Sequence, residues 1–134
     1  MKQGKKNKGK VLIVEDDKFI GEIYVTKLLA EGFEVFLAED GEEGLSMMQS
    51  KKPDVVLLDV LMPKMDGLEV LEAMKKMPAL DKIKVIMLTN ANEDEFVKRA
   101  NAARKVEYLL KSGHTPGEVV EKIEALQKES RQEN

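Results

Sequence analysis

The chain has no cysteine and no tryptophan, and its one histidine is His114. Without cysteine there is no disulfide framework, no thiolate metal site and no thiol nucleophile. A single histidine does not build a zinc site alone. Aromatic residues make up 4% of the sequence, and the opening stretch "MKQGKKNKGK" has neither an aromatic residue nor an arginine. Its five lysines are therefore read as a solvated, disordered tail rather than a nucleic-acid contact. No apolar run approaches the roughly 18 residues of a membrane span. No charged segment followed by an apolar one opens the chain as a secretory leader would. No membrane association is expected, and the cytoplasm is the expected compartment. No "GxxxxGK" stretch points to a nucleoside triphosphatase.

What is present fits one domain: 134 residues, 43% hydrophobic and 35% charged, enough for a single core. Subtracting the five lysines of the first ten residues from the net charge of −3 leaves −8 on the other 124. The folded body is acidic. Its expected extent is 10–128, between a lysine-rich tail (1–9) and a frayed polar end (129–134). No further module is expected after residue 128, so output is expected through binding or onward transfer.

From residue 10 onward, short apolar runs alternate with longer stretches of helical period, the pattern of βα units wound into a parallel sheet. The strand candidates are "KVLIV" (10–14), "FEVFLA" (33–38), "DVVLL" (54–58), "KVIML" (84–88) and "VEYLL" (106–110). Helix starts show as an acceptor side chain followed three residues later by glutamate: Asp40 with Glu43, Asp66 with Glu69, Asn92 with Glu95, Thr115 with Glu118. The first helix presents an apolar face through Ile20, Ile23, Tyr24 and Leu28 and stops at Gly32; the last presents Val119, Val120, Ile123 and Leu126. The polar residues after Leu126 are expected to fray. Met47, Met48, Met74, Met77 and Met87 fall where helices and strands would pack and read as core filling.

In open parallel α/β sheets, ligands bind beyond the carboxyl ends of the strands. The residues there are Glu15, Asp16 and Asp17 after the first strand, Asp59 after the third, Thr89 after the fourth and Lys111 after the fifth. Clustered carboxylates repel unless one takes a proton or a cation neutralises them. With oxygen ligands only, magnesium is the natural cation. A hydroxyl and an ammonium beside it suit a transferring phosphoryl group. Asp17 is read as the cap of the first helix rather than a third ligand.

These residues resemble the receiver domain of two-component response regulators, the CheY-like family, over about residues 10–128. The resemblance implies a doubly wound (βα)5, flavodoxin-like fold with a five-stranded parallel sheet of order 2-1-3-4-5 and helices on both faces. It makes Asp59 the phosphoacceptor and Glu15 and Asp16, in "LIVEDD", the acidic pair at Mg2+, with the Leu61 backbone carbonyl a further ligand. Met62, Pro63, Asp66 and Gly67 match the family's "MPxxDG" loop. Thr89 is the implied switch hydroxyl, Tyr108 the switch aromatic and Lys111 the phosphoryl-binding lysine. Implied partners are a sensor histidine kinase or histidine phosphotransfer protein and a downstream protein reading the face of the fourth helix, fifth strand and fifth helix. Direct DNA contact and a separate enzymatic activity are not expected, and a monomer or weak phosphorylation-linked dimer is. His114 lies on no motif position and reads as a loop histidine, so the phosphohistidine belongs to the partner.

The sequence departs from the family pattern at three places. Ser112 follows Lys111 where proline is common, and a cis bond without proline costs about 2.5–4 kcal/mol. Asn90 replaces a small residue beside Thr89, and "NAARKVEY" lacks the usual "GA" before the last strand. The alternative function is a phosphorylation-independent interaction module on the same fold. A phosphatase with an aspartyl nucleophile would usually carry a second acid two residues after Asp59, where Leu61 stands.

Overall fold

The computed structural model describes residues 8–60, 65–89, 98, 99, 102, 106–110 and 115–132, without side-chain surroundings at 89, 110 and 130–132. Five strands, β1 (Lys10–Val14), β2 (Glu34–Ala38), β3 (Val55–Asp59), β4 (Lys84–Thr89) and β5 (Glu107–Leu110), form one sheet in the order β2-β1-β3-β4-β5. Every pairing is parallel. Helices α1 (Lys18–Ala30), α2 (Gly41–Lys51), α3 (Gly67–Lys75) and α4 (Pro116–Gln132) connect or follow the strands, with a short 3₁₀ turn at Pro78–Leu80. This is the flavodoxin-like arrangement. Its strand order reverses between β1 and β3, which opens a crevice at their carboxyl ends.

Side chains along each strand alternate between two cores. Leu12, Val14, Val56, Leu58, Val85 and Met87 pack against α2 and α3 through Leu45, Met48, Leu71 and Met74. Val11, Ile13, Val55, Leu57, Ile86 and Leu88 pack on the other face with Tyr24 and Leu28 of α1 and Val119, Val120 and Ile123 of α4. Burial on both faces explains why β1, β3 and β4 are almost uninterrupted apolar runs. Met48, Met74 and Met87 are fully buried and Met47 and Met77 partly so, all in the first core.

The helix starts follow the capping pattern. Asp17, Asp40 and Asp66 accept from the amides of Ile20, Glu43 and Glu69, and Thr115 Oγ1 accepts from the Glu118 amide. The Asn92 start lies outside the described residues. At the end of α1, Gly32 adopts φ 100°, and the amides of Gly32 and Phe33 donate to the carbonyls of Leu29 and Leu28. That pattern closes a helix with a left-handed residue that glycine adopts without steric penalty.

Three expectations change. Ile23 is 39% exposed; the inner face of α1 runs through Gly21, Tyr24 and Leu28, and a Cβ at Gly21 would stand 3.0 Å from the Leu37 side chain. Lys8 and Gly9, expected in the solvated tail, are held to the body: the Lys8 amide donates to the Gly32 carbonyl, and the Glu34 amide to the Gly9 carbonyl. The polar end remains helical to Gln132, and Gln127 is buried. Among the described residues, no helix is long and apolar enough to cross a membrane.

Candidate functional site

Strand register assembles the acidic cluster. Val14 of β1 is paired with Leu58 of β3, so the next residues, Glu15 just past the end of β1 and Asp59 at the last position of β3, stand side by side, and Asp16 follows. One carboxylate oxygen from each of Glu15, Asp16 and Asp59 lies within 4.8 Å of the other two. Glu15 and Asp59 are each only 1% exposed, whereas Asp16 faces solvent.

Local bonds fix this geometry. The Glu15 amide donates to the Ala38 carbonyl at 3.0 Å, holding the end of β1 to β2. Glu15 Oε2 accepts from the Asp17 amide at 3.2 Å, which folds the chain back under the carboxylate. Asp17 turns away and caps α1, so it is a structural acid. The Val60 amide donates to the Leu88 carbonyl at 3.2 Å, anchoring the residue after Asp59 to β4.

Two nearly dry carboxylates beside a third carry a concentration of like charge that a cation relieves. The donor set is oxygen only, with one member open to water. Hard divalent ions that keep part of their hydration shell fit such a set; ions that prefer sulfur or imidazole do not.

Asp66 does not join the cluster. It forms a reciprocal capping box with Glu69 at the start of α3. Tyr108 lies in β5 opposite Met87 and packs partly buried against the α2 and α3 core; burial raises its phenol above the usual range. Thr89 is the last residue of β4, in register with Leu110, and its side chain lies outside the described residues. So do Leu61, Met62, Pro63, Asn90, Lys111, Ser112 and His114.

One feature near the site has no counterpart in the sequence reading. Phe19, three residues beyond Asp16, is 73% exposed and lines a shallow groove on α1 with Ile23, Thr26 and Ala30. Its signal was available: Phe19 falls just off the apolar face begun by Ile20.

A doubly wound parallel sheet with an oxygen-only acidic cluster at its switch point defines a class of α/β domains able to hold a cation beyond the strand ends. The response regulator receiver domain profile matches residues 11–124. The chain belongs to that family. It is 31% identical over 121 residues to the alkaline phosphatase synthesis transcriptional regulatory protein PhoP of Bacillus subtilis, covering 90% of this chain and 49% of that protein. The receiver domain of a Francisella response regulator superposes with a TM-score of 0.80 at 27% identity, covering 91% of this chain and 98% of that one. A CheY-like receiver domain protein from Methanospirillum hungatei superposes with a TM-score of 0.83 at 28% identity, covering 94% and 99%. The chain spans about half the length of the curated relatives it matches.

Proposed function

We propose that this domain accepts a phosphoryl group from a phosphohistidine partner onto Asp59 and passes the change to an output partner. The observation that carries the proposal is the buried Asp59 carboxylate grouped with Glu15 and Asp16 in a chain of the receiver family.

In the proposed step an Asp59 carboxylate oxygen attacks phosphorus. An O–P bond forms, the donor's N–P bond breaks, and the leaving imidazole keeps the electron pair. Glu15, Asp16, Asp59 and the Leu61 carbonyl would hold Mg2+. Bound there, the ion supplies positive charge against the phosphoryl oxygens. Lys111 and Thr89 serve as ammonium and hydroxyl donors to the same oxygens. The fixed strand ends place the nucleophile before the donor arrives, so catalysis rests on positioning and charge.

The added charge then draws Thr89 inward, and Tyr108 follows into the vacated space. The half-buried position of Tyr108, packed against the core of α2 and α3, supports this role. The exposed Phe19 and Ile23 of α1, the helix that follows Glu15 and Asp16 in the chain, offer an apolar landing for a protein donor, which must bring its phosphohistidine over Asp59. The receiver body acts in the cytoplasm without contacting DNA itself, and it assists its own phosphorylation rather than turning over a separate substrate. A regulator such as Bacillus PhoP is named for transcription, and this chain covers 49% of it.

The test is transfer of labelled phosphate from a phosphorylated histidine phosphotransfer domain. The label should appear on the native chain, be released by hydroxylamine as an acyl phosphate is, and be absent from Asp59→Asn. Hydroxylamine-resistant label, or equal labelling of both proteins, contradicts the assignment.

A further inference from the structure

The starts of α2 and α3 repeat one pattern: Asp40-Gly41-Glu42-Glu43 and Asp66-Gly67-Leu68-Glu69. In each the aspartate caps and the glycine is the first helical residue. Glycine is the poorest helix former after proline. Among the described glycines, only Gly9 and Gly32 have positive φ, so the backbone at Gly41 and Gly67 would admit any residue. The reason for glycine must lie in what its missing side chain leaves room for.

At Gly67 a Cβ would stand 2.9 Å from the Asp59 carbonyl oxygen, 3.1 Å from Val60 Cα and 2.8 Å from the Met87 methyl. The methyl is the end of a flexible side chain and can swing away. The Asp59–Val60 peptide cannot, because the Val60 amide is held by Leu88 at 3.2 Å and the Val60 carbonyl by the Gly67 amide at 2.8 Å. At Gly41 a Cβ would fall on the carbonyl oxygen of Met65 and lie 2.9 Å from Met65 Cβ and 2.8 Å from Val70. One glycine thus backs the residue where β3 ends, and the other backs Met65, the residue before the α3 cap.

We infer that Gly67 and Gly41 are positioning residues for Asp59: the absence of a side chain lets α3 and α2 close on the two ends of the β3–α3 connection and so sets the height of the Asp59 carboxylate against Glu15 and Asp16. The inference rests on the proposed reading of Asp59 as phosphoacceptor and ion ligand. A change there alters the placement of the carboxylate without altering its chemistry, and displacements on the ångström scale lower rates by about tenfold to a hundredfold.

The full chain is compared with Gly67→Ala, Gly41→Ala and Gly67→Ala combined with Met87→Leu, which removes the methyl while nearly conserving volume. Three quantities are read: the Asp59 and Val60 amide shifts in metal-free protein, magnesium affinity by calorimetry, and the rate of phosphoryl gain from saturating acetyl phosphate. Gly67→Ala is expected to stay folded by circular dichroism, shift both amides, and lose about tenfold or more in affinity and maximal rate. Half-saturation for acetyl phosphate should change little, and Met87→Leu should not restore the losses. Native amide shifts and affinity in Gly67→Ala, or recovery in the double variant, overturn the inference. If Gly67→Ala does not fold, Gly41→Ala decides by the same shifts and losses. A native chain that binds magnesium but takes no phosphoryl group removes the phosphoacceptor reading, and the shifts and affinities still decide the positioning claim.

Discussion

The amide of Glu69 donates to Asp66 Oδ1 at 2.9 Å, and the amide of Asp66 donates back to Glu69 Oε1 at 3.0 Å. This mutual capping uses the Asp66 carboxylate at the start of α3 and separates it from Asp59, seven residues earlier and buried with Glu15. Asp66→Ala should lower stability by about 1 kcal/mol, the usual worth of an N-cap, while Asp59 still accepts a phosphoryl group. Chemical denaturation together with a phosphorylation assay checks both halves.

Magnesium should stabilise the fold, because a ligand of the native state raises unfolding free energy in proportion to the logarithm of its concentration over Kd, reaching about 2.7 kcal/mol at a hundred times Kd. The melting temperature should climb with added magnesium and fall back on chelation. Replacing Glu15 with glutamine should flatten that response by removing one of the two buried charges of the cluster. Thermal melts across a magnesium series measure it.

Phe19→Ala should leave stability within about 0.5 kcal/mol, as expected of an exposed position. It should slow phosphoryl transfer from a histidine phosphotransfer domain and leave transfer from acetyl phosphate unchanged. Parallel rate measurements with the two donors separate docking from chemistry.

Lys8 Nζ lies 3.1 Å from Glu124 and 3.7 Å from Glu31, tying α4 to the end of α1. The hydrogen bond to Glu124 holds the Lys8 ammonium protonated above its ordinary range. A group whose folded pKa is raised contributes stability below its unfolded value and loses it as pH rises through the folded one. Lys8→Gln should therefore melt at or slightly below the native chain near neutrality, since solvent screens an exposed ion pair, with any gap closing above about pH 10.4, the unperturbed lysine value. Tyr108, raised by burial, weakens the fold in the same alkaline window, so the comparison is best repeated in a Tyr108→Phe background.

Much of the fold was legible because β1, β3 and β4 are covered on both faces and read as apolar runs, and because aspartates mark the helix starts. The end of β3 was displaced by one residue: charge suggested a stop at Leu58, yet the ladder continues through Asp59, paired with Leu88. The face of α1 differs from the expected one at Ile23 because glycine carries no hydrophobic signal, although Gly21 is buried on that helix against Leu37 of β2. The lysine run read as solvated, but Lys8 and Gly9 lie against the body through backbone bonds that composition does not register. In the site, Glu15, Asp16 and Asp59 could be found from strand ends alone. The exposure of Phe19 and the close approaches at Gly41 and Gly67 depend on how elements pack, which spacing does not encode.

The central claim is that Asp59 is the phosphoacceptor, and intact mass tests it most directly. After incubation with magnesium and acetyl phosphate, the native chain should gain the mass of one phosphoryl group and Asp59→Asn none. No gain in a native chain that is folded and binds magnesium, or an equal gain in both proteins, would contradict it.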